Sequence, residues 1–384
     1  MNSVSRTILD FVSEFREVRI IPDTSLDSLI ASSILLKTLE EHNVRAKVSL
    51  NSRLIVEAPD EPAILLGLPP LNAKTQVGLT REGSLTITSR VVKMLDEVFG
   101  VDWWDKALSI VASLYRQMTE PVDYGKILSD VGEKIVDELS KEHRLNIASR
   151  GLQIWGVKRF GLVKSLSRTL IPFAPGFTGN AERIASFLEK ELKIRDLPYS
   201  KYLEYTSNEE NYVKFAKTLA RIYMNTGLSP EKILPRIVGE YTIVYESESG
   251  LVEFQVNELI GALLVYMSLD KSFPLSIIPL SMRAEICSQA LVVYDSIIDQ
   301  LAKILGSKLT GSTDFSKPVD IDEYLKRPEL VEEIAGFLEK KPRDKPVSTI
   351  IDGVAVTSLR ELLRVEKNPG DAYVKCDEQQ ICRI

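Results

Sequence analysis

The stretch with the most chemical potential is "PDTSLDS", Pro22 to Ser28, which follows the short apolar run "VRII". It places the carboxylates Asp23 and Asp27 either side of Ser25 on one turn. Two carboxylates at this spacing could hold one Mg²⁺ or Mn²⁺ ion, leaving most of its shell to water. A two-metal hydrolase needs more, because cations ~4 Å apart require several carboxylates and usually imidazoles. The chain has only 2 histidines, His42 and His143, and neither lies in this segment. Capping is the simpler reading: Asp27 or Ser28 opens the next helix and Asp23 sits on the preceding turn.

A second group of residues is set apart by charge. The formal net charge is -6, yet no acidic residue occurs between Glu142 and Glu182. That window holds Arg144, Arg150, Lys158, Arg159, Lys164 and Arg168, together with His143, Trp155 and Phe160. Such a segment suits an anion-binding surface, with the two aromatics as stacking platforms for a single strand. Equally, it suits a helical segment whose cations pair with Asp and Glu elsewhere in the fold. Trp103 and Trp104 are adjacent, and are expected as one buried and one half-buried aromatic rather than a base-stacking pair.

The elements around these residues fall into three regions. Residues 1–120 alternate helix and strand: "SRTILDFVSEF" has helical spacing, "VRII" is a strand, and Ser28–Glu41 is a helix. "RAKVSL", "RLIVEA" and "AILLGL" are short apolar stretches between turns, and "TITSRVVKMLDEVFG" and "WWDKALSIVASLYRQM" are helices. This predicts an α/β fold with a doubly wound sheet and a crevice at the carboxyl ends of its strands. Residues 121–300 form a mainly helical connecting region, with the basic segment at 143–180 and a hairpin in "GEYTIVYESESGLVEFQ". Residues 301–384 predict a small α/β domain, with an acidic helix at 319–342, strands in "PVSTIIDG" and "VAVTSL", and an irregular tail. The charge of the 319–342 helix suits a solvated face or a docking surface.

Composition narrows the remaining classes. No apolar run approaches the roughly 18 residues of a spanning helix, so no membrane is expected and a cytoplasmic location is. The 3 cysteines, Cys287, Cys376 and Cys382, form no CxxC pair, and neither a disulfide framework nor a zinc site is expected.

The order strand, acidic turn, then a helix opening "SLIASSILLKTLE" resembles the first motif of the DHH phosphoesterase superfamily, which includes RecJ nucleases. That motif runs His, any, Asp, any, Asp, Gly. Its His falls here on Asp23, its first Asp on Ser25, its second Asp on Asp27 and its Gly on Ser28. Where the family has a strand ending in a metal-binding Asp, "AILLGLPP" offers Leu66 and Gly67. The Asp-His-His triplet has no counterpart, the nearest stretch being "SLTITSRVV". The fourth acidic motif falls in "ALSIVASLYRQ", which has no acid.

Non-catalytic parts are kept. "RGLQIWGVKRFGLVKSLSRTLIPFAPGFTGN" is similar to a segment of archaeal RecJ-like proteins with a "PxxPGxTG"-like turn, here Pro172 to Gly179. "IVGEYTIVYESESGLVEFQVNELIGALLVYMSLD" looks like their following hairpin and helix. "KPVSTIIDGVAVTSLR" is similar to the strands of the C-terminal DHHA1 domain, although "NPGDAYVKCDEQQ" replaces its Gly-Gly-His turn. The resemblance implies a DHH-like domain, a helical connection and a DHHA1-like domain. The DHHA1 run approaches a nucleic-acid backbone, which by resemblance nominates Thr357, Ser358 and Arg360 as contacts.

Enzymes on phosphodiesters must lower the barrier by on the order of 20 kcal/mol, and in this superfamily the metals carry most of that. Loss of ligands with retention of fold therefore implies a pseudoenzyme kept for binding, with no catalytic residue, metal or other cofactor. Inactive archaeal RecJ-like proteins are counterparts of the cell-division-cycle subunit of the CMG replicative helicase. By that resemblance the expected partners are the GINS complex and the MCM helicase, with single-stranded DNA as a further candidate and a nucleoid-associated location. Two alternatives stand beside it. One is an active metal-dependent single-strand nuclease or phosphoesterase using Asp23, Asp27 and unrecognised ligands; the other is a stand-alone single-strand or RNA binding protein.

Overall fold

The computed structural model describes residues 3–15, 17–120, 127–248, 250–310, 314–321 and 324–384. Strands β1 (Glu17–Pro22), β2 (Arg45–Val48), β3 (Ala63–Leu66) and β4 (Gln76–Leu79) form a parallel sheet in the order β2-β1-β3-β4. Ile20 pairs with both Val48 and Ile64, and Leu65 with Gly78. All four residues of β3 are buried, as parallel strands covered on both faces must be. Helices Leu26–Glu41, Ile87–Val98 and Trp103–Thr119 pack against one another beside this sheet.

β5 (Leu145–Leu152), β6 (Val238–Ser247) and β7 (Gly250–Gln255) form an antiparallel sheet, with a register shift between Ala148 and Leu152. β8 (Val319–Asp320), β9 (Thr349–Ile351), β10 (Val354–Ser358) and β11 (Ile381–Arg383) form the C-terminal sheet in the order β11-β10-β9-β8. Its β8–β9 pair is parallel and the others antiparallel. A continuous core runs from Ile8 through Trp104, Trp155 and Leu263 to Val347. It is tied across regions by hydrogen bonds such as Trp104 Nε1 to the Ser281 carbonyl at 2.7 Å. A second apolar cluster joins Ile21, Leu65 and Leu68 of the parallel sheet to Leu359, Tyr373, Cys376 and Cys382.

The structure departs from the sequence expectations in four places. "RLIVEA" contains the helical turn Leu54–Glu57, entered through a turn in which Asn51 Oδ1 accepts from Arg53 N. Residues 145–152 of the basic segment are a strand, because β6 supplies an edge that no local pattern announces. The 319–342 stretch is not one helix: β8 comes first and the helix Glu329–Phe337 starts after Pro328. Finally, the tail is ordered as helices Leu359–Val365 and Pro369–Lys375 followed by β11, and Cys376 and Cys382 form a disulfide. The stretch "YGKILSDVGEKIVDELSKEH", Tyr124 to His143, reads as a helix; the structure has one at Ile127–Lys141, and Tyr124 to Lys126 lie outside the described residues. Among the described residues no helix is long and apolar enough to cross a membrane.

Candidate functional site

β1 delivers the chain to the acidic turn, and the Asp23 amide donates to the Leu66 carbonyl of the neighbouring strand at 2.8 Å. Ser25 is the N-cap of the helix Leu26–Glu41, its Oγ accepting from the Ser28 amide. The Ser25 amide and hydroxyl both donate to Asp23 Oδ1, at 2.9 and 2.5 Å. Asp23 is therefore a turn acceptor, and it is buried.

Asp27 is committed elsewhere. Its carboxylate is 0% exposed. Oδ2 accepts from the Ile87 amide at 3.0 Å, and Oδ1 accepts from the Thr88 amide and hydroxyl, each at 2.9 Å. Arg81 Nε lies 3.3 Å from Oδ2. The carboxylate thus serves the N-terminus of the helix Ile87–Val98, where free amides and the helix dipole favour an anion. Its amide partners lie within "SLTITSRVV".

Gly67 closes the third side. At φ +78 it leaves no room for a side chain: a Cβ there would meet Asp23 Oδ2 at 2.4 Å and Ser28 Oγ at 2.8 Å. No acid at the end of β3 could fit this space without displacing the turn. Among the described residues no group of three or more His, Cys, Asp or Glu side chains converges as a metal site. The residues present do not fit a two-cation centre.

Beside the turn lies a cleft of about 620 Å³, lined by Arg81, Arg116, Glu120, Glu333, Lys341 and Arg360 among others. Its charges face one another: Arg81 and Arg116 meet Glu120, Lys341 meets Glu361, and Arg360 meets Glu333. Tyr115 donates to Glu333 at 2.5 Å.

Of the C-terminal candidates, only Arg360 reaches a surface, on the wall of this cleft. Thr357 and Ser358 are fully buried. Thr357 donates to the Val347 carbonyl at 2.7 Å, and Ser358 binds Glu332 through its amide at 2.8 Å and its hydroxyl at 2.6 Å. Ser358 also caps the helix Leu359–Val365. Nominated as nucleic-acid contacts, Thr357 and Ser358 are turned inward here, fastening β10 to Val347 and to the helix Glu329–Phe337. Arg360 points the same way, to Glu333 and Tyr115. Glu329, Glu332 and Glu333, expected on a solvated face, are buried. Burial, followed by the charges of Glu361 and Glu329, pushes the Glu332 carboxyl up to about 7.

The basic segment is brought together with distant acids. Lys158 pairs with Glu240 and Glu253 at 3.1 Å each. Arg159 bonds Glu258 at 3.0 Å and Asp295 at 2.7 Å, and Arg168 bonds Asp299 at 2.6 Å. Arg150 donates to the carbonyls of Thr206 and Ser207, pairs with Glu209 and lies over Tyr212. Arg144 lies over Trp103 and the exposed Lys164 over Phe160. Trp155 is 0% exposed against Tyr294 and Gly261, so it is no stacking platform. Phe160 is half-buried under the cations of Arg159, Lys164 and Arg168. Of the two aromatics at 103 and 104, Trp104 is buried and Trp103 half-buried, as expected.

No family model matches the chain, and no curated protein matches it in sequence. In structure it is similar to CDC45 from Entamoeba histolytica, with a TM-score of 0.58 and 9% identity, covering 92% of this chain and 86% of that one. At this identity the likeness establishes the fold. The chain has a CDC45-like fold, carried through nearly its whole length.

Proposed function

We propose that this chain is a non-catalytic DNA replication factor of the CMG-helicase type, an inactive archaeal RecJ-like member of the DHH superfamily. In this role it binds GINS and MCM and contacts single-stranded DNA. One observation carries the reading: Asp27, the only first-motif ligand kept in place, is spent on the amides of Ile87 and Thr88 inside a CDC45-like fold. A carboxylate saturated by a helix N-terminus has lost the lone pairs a cation needs. The fold then remains useful as a surface, and the same joint holds that surface rigid. Any strand contact falls to the cations left nearest solvent, with Lys164, Arg144 and Arg150 the first to test.

The deciding experiment offers labelled single-stranded DNA and short oligonucleotides with Mg²⁺ and Mn²⁺, and GINS as bait, to one purified preparation. Capture of GINS without cleavage is expected. Metal-dependent cleavage that Asp27→Ala abolishes would overturn the proposal in favour of a nuclease. Strand binding without capture of GINS, or of MCM offered as a second bait, would leave a stand-alone binding protein.

A further inference from the structure

A second cavity, of about 340 Å³, lies against the C-terminal sheet, away from the acidic turn. Its floor is aliphatic: Ile351, Val356 and Ile381 form a small cluster of their own, and Val354 beside them is 39% exposed. Its rim is built around the disulfide. Lys375 precedes Cys376 and Arg383 follows Cys382, so the bond between these cysteines fixes both cations at one edge. Arg53 completes the rim from the parallel-sheet side. Its Nε donates to the Cys376 carbonyl at 2.9 Å, which leaves its two terminal nitrogens for another acceptor.

The acids in the wall are already occupied. Asp377 Oδ1 accepts from the amides of Gln379 and Ile381, each at 2.9 Å. Asp352 meets Lys271 at 2.9 Å and Lys326 at 3.4 Å. Lys375 pairs with Glu366. Among the described residues, Arg53 and Arg383 have no acidic partner. Among the described residues, a chain of net charge -6 thus keeps two guanidinium groups without an acidic partner on the rim of an apolar floor, both next to the Cys376–Cys382 disulfide.

We propose that this cavity docks an acidic, extended peptide segment of a partner protein. A guanidinium matches a carboxylate through paired N–H donors, so Arg53 and Arg383 take two acidic side chains. An aliphatic side chain between them covers Val354, Val356 and Ile381. A nucleic-acid strand fits less well, because no aromatic ring lines the cavity to stack a base. The disulfide holds the rim before binding, so little ordering remains to be done. The inference stands independently of the replication reading.

The test is fluorescence anisotropy with a labelled Glu-Glu-Leu-Glu-Glu peptide, its Gln-Gln-Leu-Gln-Gln counterpart, and oligothymidylate. Saturable binding of the acidic peptide alone is expected, weakened about tenfold by Arg53→Gln and by Arg383→Gln. Lys47→Gln, at an exposed cation paired with Glu17 elsewhere, leaves it unchanged. The exposed position of Arg383 keeps that variant folded, and equal thermal midpoints would confirm it. Absence of binding, equal binding of the glutamine peptide, or indifference to both arginine variants overturns the proposal. So does oligothymidylate binding that these variants abolish in its place.

Discussion

Replacing Asp27 by Ala tests whether the carboxylate is a structural joint. The substitution removes the acceptor of two buried amides, Ile87 and Thr88, and of the Thr88 hydroxyl. A buried donor left without a partner costs about 1–3 kcal/mol. The hydroxyl can still donate to the Asp27 carbonyl, which it already does at 2.8 Å, and Arg81 keeps Glu120. The two amides then dominate, and the expected loss is about 4 kcal/mol, in the range reserved for buried polar disruption. Asp27→Asn should cost roughly half, because its carbonyl still serves Thr88 while its amide faces the donors of Ile87 and Arg81. Urea titration followed by tryptophan fluorescence and far-ultraviolet circular dichroism measures both, Trp104 lying in the helix packed beside Ile87–Val98. A loss under about 1 kcal/mol would refute the joint. A gain would refute it more strongly, since relief of repulsion on removing a carboxylate is the behaviour of an unfilled metal site.

Three further outcomes are expected. The carboxyl of Glu332 is held near 7 in the fold, above its unfolded value, so its contribution is full at acidic pH and is lost as pH rises through about 7. Glu332→Gln should therefore raise the thermal midpoint at pH 8 and leave it nearly unchanged at pH 5; an equal effect at both would refute the linkage. Cys382→Ser opens a loop of sequence separation 6 and should cost roughly 2 kcal/mol by loop entropy, read as a lower urea midpoint under non-reducing conditions. Six phosphate contacts from the basic segment would give a log K against log salt slope of roughly -4 on single strands. With Lys158, Arg159 and Arg168 closed on internal acids, a slope nearer roughly -2 is expected by anisotropy, and -4 would show that those pairs open for DNA.

Local pattern carried much of the architecture. The apolar run "AILL" reads as a parallel core strand, and it is one. The spacing of "TITSRVVKMLDEVFG" and "WWDKALSIVASLYRQM" reads as helix, and the structure has Ile87–Val98 and Trp103–Thr119. These signals survive in a bare sequence because a helix face or a strand is set by residues within a few positions of each other. The same locality explains the misses. β5 needs the edge of β6, about a hundred residues on, and "RLIVEA" is apolar enough for a strand but is turned into a helix at its entrance. In the acidic stretch, charge alone suggested solvent, whereas Glu332 finds Ser358 and Glu333 finds Tyr115 and Arg360.

By itself, then, the sequence determines that the chain has only 2 histidines and that "PDTSLDS" carries two carboxylates, for those are facts of residue type. It also determines that six cations stand in a window without acids. What becomes of each charge is decided only in three dimensions. Asp27 could cap its own helix or hold a cation as far as spacing shows; folding brings the amides of Ile87 and Thr88, at the start of a different helix, within 3.0 Å of it. Lys158, Arg159 and Arg168 meet acids some 80 to 140 positions further along the chain. Among the described residues, Arg53 and Arg383 meet none. Electrostatic pairing falls off over a few ångströms, so a charge's partner depends on which distant segment the core brings alongside it, and composition carries no record of that.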